Sequence, residues 1–385
     1  SWGSGPTQSS ITLIIGGGGV TPTPTSTSVT PTPTPTSTTT PSVTPTNTPT
    51  VTQTPTQTST NVGPSPTPTE TITPTPSSTP APSQIIVAAG GVNAIGYSYD
   101  GTNWTNSSNG STFLSQPATA VSSSPTMFVA GGPSGSSQRL IYSYDGDTWT
   151  ASSNGNTIFN QVNGIAYGSG RFVAVGISAS SGPGIGYSTD GITWSAASNP
   201  NIFGSTVTSV AYNGSRWVAT AQAAGANRVL AYSDDGGVSW VGAANQLFAG
   251  LSAAGRAVAW GSDKWVAMGN AGHRMLCSFD GITWSATTNG DSIITGTGYG
   301  VAYNGSQWVA LGQGGKSIAY SSDGLVWSGA SNANTTFSIQ GYCATWDSFN
   351  SQWIAGGLGT NQLAISTNGI TWSATTNGNT IMSSR

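Results

Sequence analysis

The sequence predicts an all-β fold: a seven-bladed β-propeller preceded by an extended Pro/Thr-rich stalk and an N-terminal β-strand of donor type. Three observations predict it. A short phrase, typified by YSTDGITW at 187–194, occurs seven times. Its copies begin at residues 97, 142, 187, 232, 277, 320 and 365, so the successive intervals are 45, 45, 45, 45, 43 and 45 residues. Ahead of the repeats, residues 21–82 hold sixteen prolines among threonines and serines, with Glu70 as their one charge. A constant period of this length, containing several short strand patterns, is the mark of four-stranded sheets repeated around a ring.

The elements follow in chain order. Residues 1–20 carry the strongly apolar run outside the repeats, SSITLIIGGGG at 9–19, whose Ile11, Leu13, Ile14 and Ile15 suit one strand. Residues 21–83 have too few apolar side chains to offset the entropy of ordering, so they read as an extended, polyproline-II-like stalk. Dense Thr and Ser beside Pro is also the composition of O-glycosylated stalks. Residues 84–385 are the propeller. Within one period, 162–198, the runs VNGIAY, RFVAVG, IGYST and TWSAA are β-branched or aromatic and bounded by Gly, Asn or Asp. They read as four antiparallel strands, A to D, of one blade.

The repeated phrase resembles the Asp-box hairpin of sialidase-like and related propellers, S-x-D-x-G-x-x-W. Ser233, Asp235, Gly237 and Trp240 match it fully, and the other copies are one residue shorter in the turn. The resemblance implies that the acidic residue caps the turn between strands C and D through backbone N–H groups, that Gly takes a positive φ, and that Trp packs between blades. The structural turn residues are then Asp100, Asp145, Asp190, Asp235, Asp280, Asp323 and Asn368. Asn368 supports the capping role, because an amide oxygen accepts the same hydrogen bonds and carries no charge.

The resemblance also raises enzyme chemistry, which the composition opposes. Sialidase-type catalysis needs an arginine trio, a Tyr with a Glu partner and an acid/base Asp, yet the sole Glu is Glu70, in the stalk. Ordinary glycosidases need two opposed carboxylates. Outside the turns only Asp147, Asp234, Asp263, Asp291 and Asp347 remain, scattered over different blade positions. The lone His273, in a loop between strands B and C, has no nucleophile or orienting acid in its sequence neighbourhood. One His and two separated cysteines, Cys277 and Cys343, form no zinc site, and both thiols read as unpaired core residues. The expectation is a chain that is not an enzyme and has neither metal nor cofactor.

Nine Lys plus Arg against twelve Asp plus Glu leave a net charge of −3. That density cannot support nucleic-acid binding. No apolar run approaches the length of a membrane helix. The chain opens on Ser1 rather than Met, which fits a processed secretory or precursor protein, or a partial sequence.

Variable loops on a repeated scaffold are where binding usually sits. The loops between strands B and C differ most, and they carry Arg139, Arg228, Arg274 and Lys316 just before strand C. These are the candidate ligand residues, with surface glycans as the candidate ligand and ordinary solvated surface as the alternative. A second ring, Arg171, Arg216, Lys264, Gln307 and Gln352, lies at the turns between strands A and B. It reads as solvated stems covering the aromatic residue that follows each.

The informative defect is in the first blade. Strand B is present, with Ile85, Ile86, Val87 and Ala88 as its acceptor edge, but SSTPAP at 77–82 stands where strand A should be. Proline cannot serve a central ladder. Thirteen residues follow Trp372, too few to return to the gap. Matching LIIGGG to VAYNGS of blade 4 places Leu13 and Ile15 where Val210 and Tyr212 stand. The segment can close its own ring or a neighbour's. A polyproline-II stalk of this length reaches roughly 190 Å at about 3.1 Å per residue, which favours a neighbour. Head-to-tail donation does not close on itself, so its product is a filament, a homopolymer of this chain.

The propeller with its stalk is similar to structural proteins of phages, large viruses and microbial surfaces. That implies an extracellular location, as a secreted filament or on a virion surface. The alternative reading is a virion fibre or cell-surface adhesin that binds glycans through its loop face.

Overall fold

The computed structural model describes the backbone of residues 12–17 together with residues 84–90, 95–180, 182–223, 228–248 and 254–382. The chain divides into one unit of Ser1–Thr21 with Pro82–Arg385 and another of Pro22–Ala81, and every described residue belongs to the first. The stalk read at 21–83 lies wholly outside the described residues, and Ile11 lies outside them too.

Seven antiparallel sheets of four strands form the propeller. In the first blade these are β1 (Thr12–Gly17), β2 (Gln84–Ala89), β3 (Ile95–Ser98) and β4 (Thr105–Asn106). The innermost strand A of blades 2 to 7 spans Ala120–Ser123, Phe159–Gly168, Val207–Tyr212, Gly255–Gly261, Gly298–Tyr303 and Gln340–Asp347. Strand B is buried along its middle, and end to end in Trp217–Ala221, because it has a ladder on each edge and a neighbouring blade on each face. That explains its uninterrupted apolar sequence.

Apolar clusters form across the seams between blades. Val218 and Leu230 of blade 4, for instance, pack with Val258, Trp265 and Leu276 of blade 5. Trp149, Trp194, Trp240, Trp284 and Trp327, the last residue of their phrases, are each 1% exposed. Burying one indole is worth on the order of 4–6 kcal/mol of transfer free energy, which makes these residues the principal wedges between sheets.

Of the connections from strand D to the next strand A, four carry a single helical turn, at Gly110–Phe113, Gly155–Ile158, Gly290–Ile293 and Ala333–Thr336, and one a 3-10 turn at Pro200–Ile202; another helical turn, Gly378–Ile381, follows the last strand D. Each follows an asparagine whose carbonyl accepts an N–H three residues on, as Asn377 does from Thr380. One turn is too short to show a helical period in sequence.

Strand A contains an irregularity that the repeats do not advertise. In blades 3 to 7 its register against strand B slips by one residue, leaving Asn163, Thr208, Arg256, Tyr299 and Tyr342 opposite no partner. Such bulges re-aim the extra side chain.

Candidate functional site

The first blade is completed by a strand from far upstream. β1 pairs antiparallel with β2 over six residues, from Thr12 opposite Ala89 to Gly17 opposite Gln84. The acceptor residues are all engaged: Ala88 lies opposite Leu13, Val87 opposite Ile14, Ile86 opposite Ile15 and Ile85 opposite Gly16. The register matches that of blade 4. Leu13 faces Ala88 as Val210 faces Ala219, and Ile15 faces Ile86 as Tyr212 faces Trp217. β1 lies between the A strands of blades 7 and 2, as an innermost strand should. In blades 2 to 7 the link from strand A to strand B is two or four residues long; in blade 1 it is residues 18–83.

The seven turns between strands C and D share one hydrogen-bond pattern. In blade 5, Ser278 Oγ donates to Asp280 Oδ1 at 2.9 Å, the Gly281 N–H donates to Ser278 Oγ at 2.8 Å, and Ile282 and Thr283 N–H both donate to Asp280 Oδ1 at 2.8 Å. Asn368 Oδ1 accepts from Ile370 and Thr371 N–H at 2.9 Å in the same way. Gly281 has φ +73°, and a Cβ there would lie 2.9 Å from Val218, so the turn requires glycine twice over. At Asp280, burial acts to raise the carboxyl pKa, but the hydrogen bonds from Thr283 and Ile282 overcome it and the net shift is downward. These carboxylates are turn caps, occupied by backbone donors.

Of the polar residues at the turns between strands A and B, Arg171, Arg216 and Gln307 are partly exposed, and Arg171 and Arg216 lie over the Tyr187 and Tyr232 rings, whereas two are not solvated stems, contrary to expectation. Lys264 and Gln352 are 7% and 8% exposed. The side chains reach across the seam to the next blade's turn: Arg171 donates to the Gly236 carbonyl at 3.1 Å, Arg216 to that of Asp280 at 2.6 Å, and Gln352 to that of Asp100 at 2.8 Å. Arg216 also forms a two-point ion pair with Asp234 at 2.7 and 2.8 Å. Arg171, Arg216 and Gln352 thus staple blades together, a role visible only once adjacent blades are placed side by side.

The candidate ligand cations between strands B and C are mostly occupied by the protein. Arg139 Nε donates to the Asn160 carbonyl at 2.6 Å, Arg228 Nη1 to that of Ala243 at 2.9 Å, and Arg274 Nε to that of Gly296 at 2.8 Å. Each belongs to a different blade and braces the connection beside it. Lys316 is exposed and makes no side-chain hydrogen bond or ion pair among the described residues.

The five aspartates outside the turns also have structural partners. Asp147 accepts from the Ser108 N–H and hydroxyl, Asp234 pairs with Arg216 and Asp263 with Lys264. Asp347 is fully buried and accepts from the Phe349 and Asn350 N–H groups at 3.1 Å. Asp291 Oδ2 lies 2.8 Å from His273 Nδ1, so the fold provides the orienting acid that the sequence around His273 lacks. Cys277 is buried, and Cys343 is half-buried, packing against the apolar cluster of Ile354 and Leu363 while also lining the central cavity. Among the described residues no group of three or more His, Cys, Asp or Glu could hold a metal, and no helix is long and apolar enough to cross a membrane.

Sequence reasoning passed over the centre of the ring. A cavity of about 530 Å³ is lined there by the A strands of blades 2 to 7, including all five bulge residues. Arg256 is the one charged residue among the described lining residues. An alignment of the strand A repeats would have singled it out, as a cation at a position where the other four bulges carry Asn, Thr or Tyr.

No protein-family model matches the chain, and no curated protein sequence does. Solved structures match in fold. YCF48 from Cyanidioschyzon merolae shares 14% identity at a TM-score of 0.51, over 74% of this chain and 91% of that one. The extracellular domain of a one component system from B. thetaiotaomicron shares 8% identity at a TM-score of 0.52, over 74% of this chain and 37% of that one. A GH74 xyloglucanase from Xanthomonas campestris shares 16% identity at a TM-score of 0.48, over 73% of this chain and 41% of that one. At these identities the likeness concerns the propeller fold alone.

Proposed function

We propose that this chain is a non-enzymatic, extracellular structural subunit that polymerises head to tail, each copy donating its N-terminal strand to the first blade of the next, with O-glycans along the stalk. The observation that carries the reading is the first blade: its innermost strand, β1, is joined to β2 through residues 18–83, where the other blades use two or four. A strand on so long a tether makes the same ladder whether it comes from its own chain or from a neighbour, so effective concentration selects the partner. A stiff Pro-rich tether of roughly 190 Å in polyproline II opposes folding back onto an adjacent strand, and at high protein concentration it favours donation in trans. Strand addition of this kind gains affinity from main-chain hydrogen bonds and specificity from alternate side chains.

The absence of an enzyme is supported by how the acidic groups are used. Turn carboxylates cap backbone N–H groups, and the remaining aspartates hold Ser108, Arg216, Lys264, His273 or a turn. The glycan-binding adhesin reading has less support, since Arg139, Arg228 and Arg274 are engaged by carbonyls.

The test is electron microscopy of the full chain beside the double variant Leu13→Asp, Ile15→Asp. Filaments from the wild type and single discs from the variant are expected. Single discs from both would overturn polymerisation and leave β1 as an internal closing strand.

A further inference from the structure

The central cavity has features that neither the ring closure nor the proposed filament uses. In blades 3 to 7 strand A ends on a shared pattern, Gly-Ile-Ala-Tyr, Ser-Val-Ala-Tyr, Ala-Val-Ala-Trp, Gly-Val-Ala-Tyr and Cys-Ala-Thr-Trp. The residue just before it is the bulge, and there the repeats diverge to Asn163, Thr208, Arg256, Tyr299 and Tyr342. Blade packing asks the same of the strand in every repeat, so it explains the shared part and not the divergent one. All five divergent residues line the cavity.

Within that set Arg256 is anomalous. Its Nε is buried with no hydrogen-bond partner, and the side chain makes no hydrogen bond or ion pair among the described residues. No Asp or Glu is among the described lining residues, although each of the arginines at the rim is satisfied by a carbonyl or carboxylate. A guanidinium does not escape by losing its proton. The Arg256 side chain is half-buried on the cavity wall, and its Nε, shut off from solvent, would be satisfied by an acceptor on a molecule held in the cavity. Two more polar groups on the same wall, the Gln222 amide and the Tyr299 hydroxyl, also lack a side-chain hydrogen bond among the described residues. The Tyr299 and Tyr342 rings stand edge to face with centroids 5.5 Å apart, offering an apolar face beside the cation.

We propose that the cavity binds a small hydroxylated monocarboxylate, a sugar acid, with its carboxylate on Arg256. The planar guanidinium matches a carboxylate at two points. One cation with no second positive group among the described lining residues balances one negative charge, which disfavours a phosphate dianion. The Gln222 amide and Tyr299 hydroxyl, with Asn163 and Thr208 on neighbouring blades, serve ring hydroxyls, and the Tyr pair covers a sugar face. The volume of about 530 Å³ falls within the range of small-molecule sites, about 300–1,000 Å³.

The experiment is calorimetric titration of the full chain with glucuronate, glucose and inorganic phosphate at pH 7. Saturable glucuronate binding is expected, with glucose and phosphate at least about tenfold weaker, a ratio that corresponds to about 1.4 kcal/mol. Arg256→Gln should reduce glucuronate affinity at least about tenfold. Tyr299→Phe, which removes only a hydroxyl, should reduce it several-fold and supplies the decision if Arg256→Gln fails to fold. No saturable binding, equal binding of glucose or phosphate, or affinity unchanged in the variants would overturn the proposal. Because the assay reads the cavity and not assembly, failure here leaves the filament reading standing, and loss of filaments leaves this one standing.

Discussion

Asn377 holds the backbone of Trp104 on both sides: its Oδ1 accepts the Trp104 N–H at 2.9 Å, and its Nδ2 donates to the Trp104 carbonyl at 2.8 Å. The two residues lie 273 positions apart, at the last turn of the chain and the first blade. The same clamp joins Asn109 to Trp149, Asn199 to Trp240, Asn245 to Trp284 and Asn332 to Trp372. The ring is therefore shut at the outer part of its last seam by the joint that fastens its internal seams, while β1 completes the inner part.

Asn377→Ala should open that seam locally. Two hydrogen bonds are lost and a buried amide is left without its acceptor, a cost of about 1–3 kcal/mol. Hydrogen exchange at the Trp104 amide should accelerate, while the Trp240 amide, clamped by Asn199, keeps its protection. Equal acceleration at both would show that the seam is not an independent unit.

Asp280→Asn should be nearly silent at neutral pH, because Asn368 caps its turn with the same two N–H groups. Asp280→Ala leaves those donors unpaired and should cost about 1–3 kcal/mol. Urea unfolding of the two variants separates a capping role from one that needs charge; equal losses would refute capping.

Acid stability should be high. At Asp100, Asp190, Asp235 and Asp280 burial acts to raise the carboxyl pKa, and turn hydrogen bonds overcome it; at Asp323 the Val326 N–H is the largest influence and lowers it. Each folded value lies below the unfolded one, so the unfolded chain binds protons first as pH falls. The contribution is complete above the ordinary carboxylate value of about 3.9 and disappears as pH drops through the folded values. Thermal melts should be flat from pH 7 to about 5 and fall only below about 4. A fall beginning near pH 6 would point to a different group.

Gly300→Ala should be more harmful than a glycine substitution of ordinary kind. A Cβ there would stand 2.3 Å from the Tyr342 carbonyl oxygen and 2.9 Å from the Cys343 Cα, both backbone atoms of the adjacent blade. Overpacking of this sort costs about 1–3 kcal/mol or more. Calorimetry should show a lowered Tm, and an unchanged Tm would mean that blades 6 and 7 can separate without penalty.

Much of this molecule is written locally. The period of the phrase, the Gly that must take φ +73° and the apolar strand B made seven blades legible, and the prolines of 77–82 exposed a blade that lacked a strand. Even the register of β1 follows from matching Leu13 and Ile15 to Val210 and Tyr212. Helical turns after strand D escaped notice because four residues are less than the span over which a period can be recognised.

By itself, then, the sequence determined the repeat, the turns and the need for an outside strand, because each depends on hydrogen bonds and torsions within a few residues of chain. Only the tertiary structure decided the use of charge. Arg171, Arg216 and Gln352 became staples, Arg139, Arg228 and Arg274 became braces, His273 met Asp291, and Arg256 was left alone on the wall of the cavity. The physical reason is that a long polar side chain takes its role from whatever backbone lies across the seam, and residues across a seam are about 40 or more positions away, as Trp149 is from Asn109 and Gly236 from Arg171.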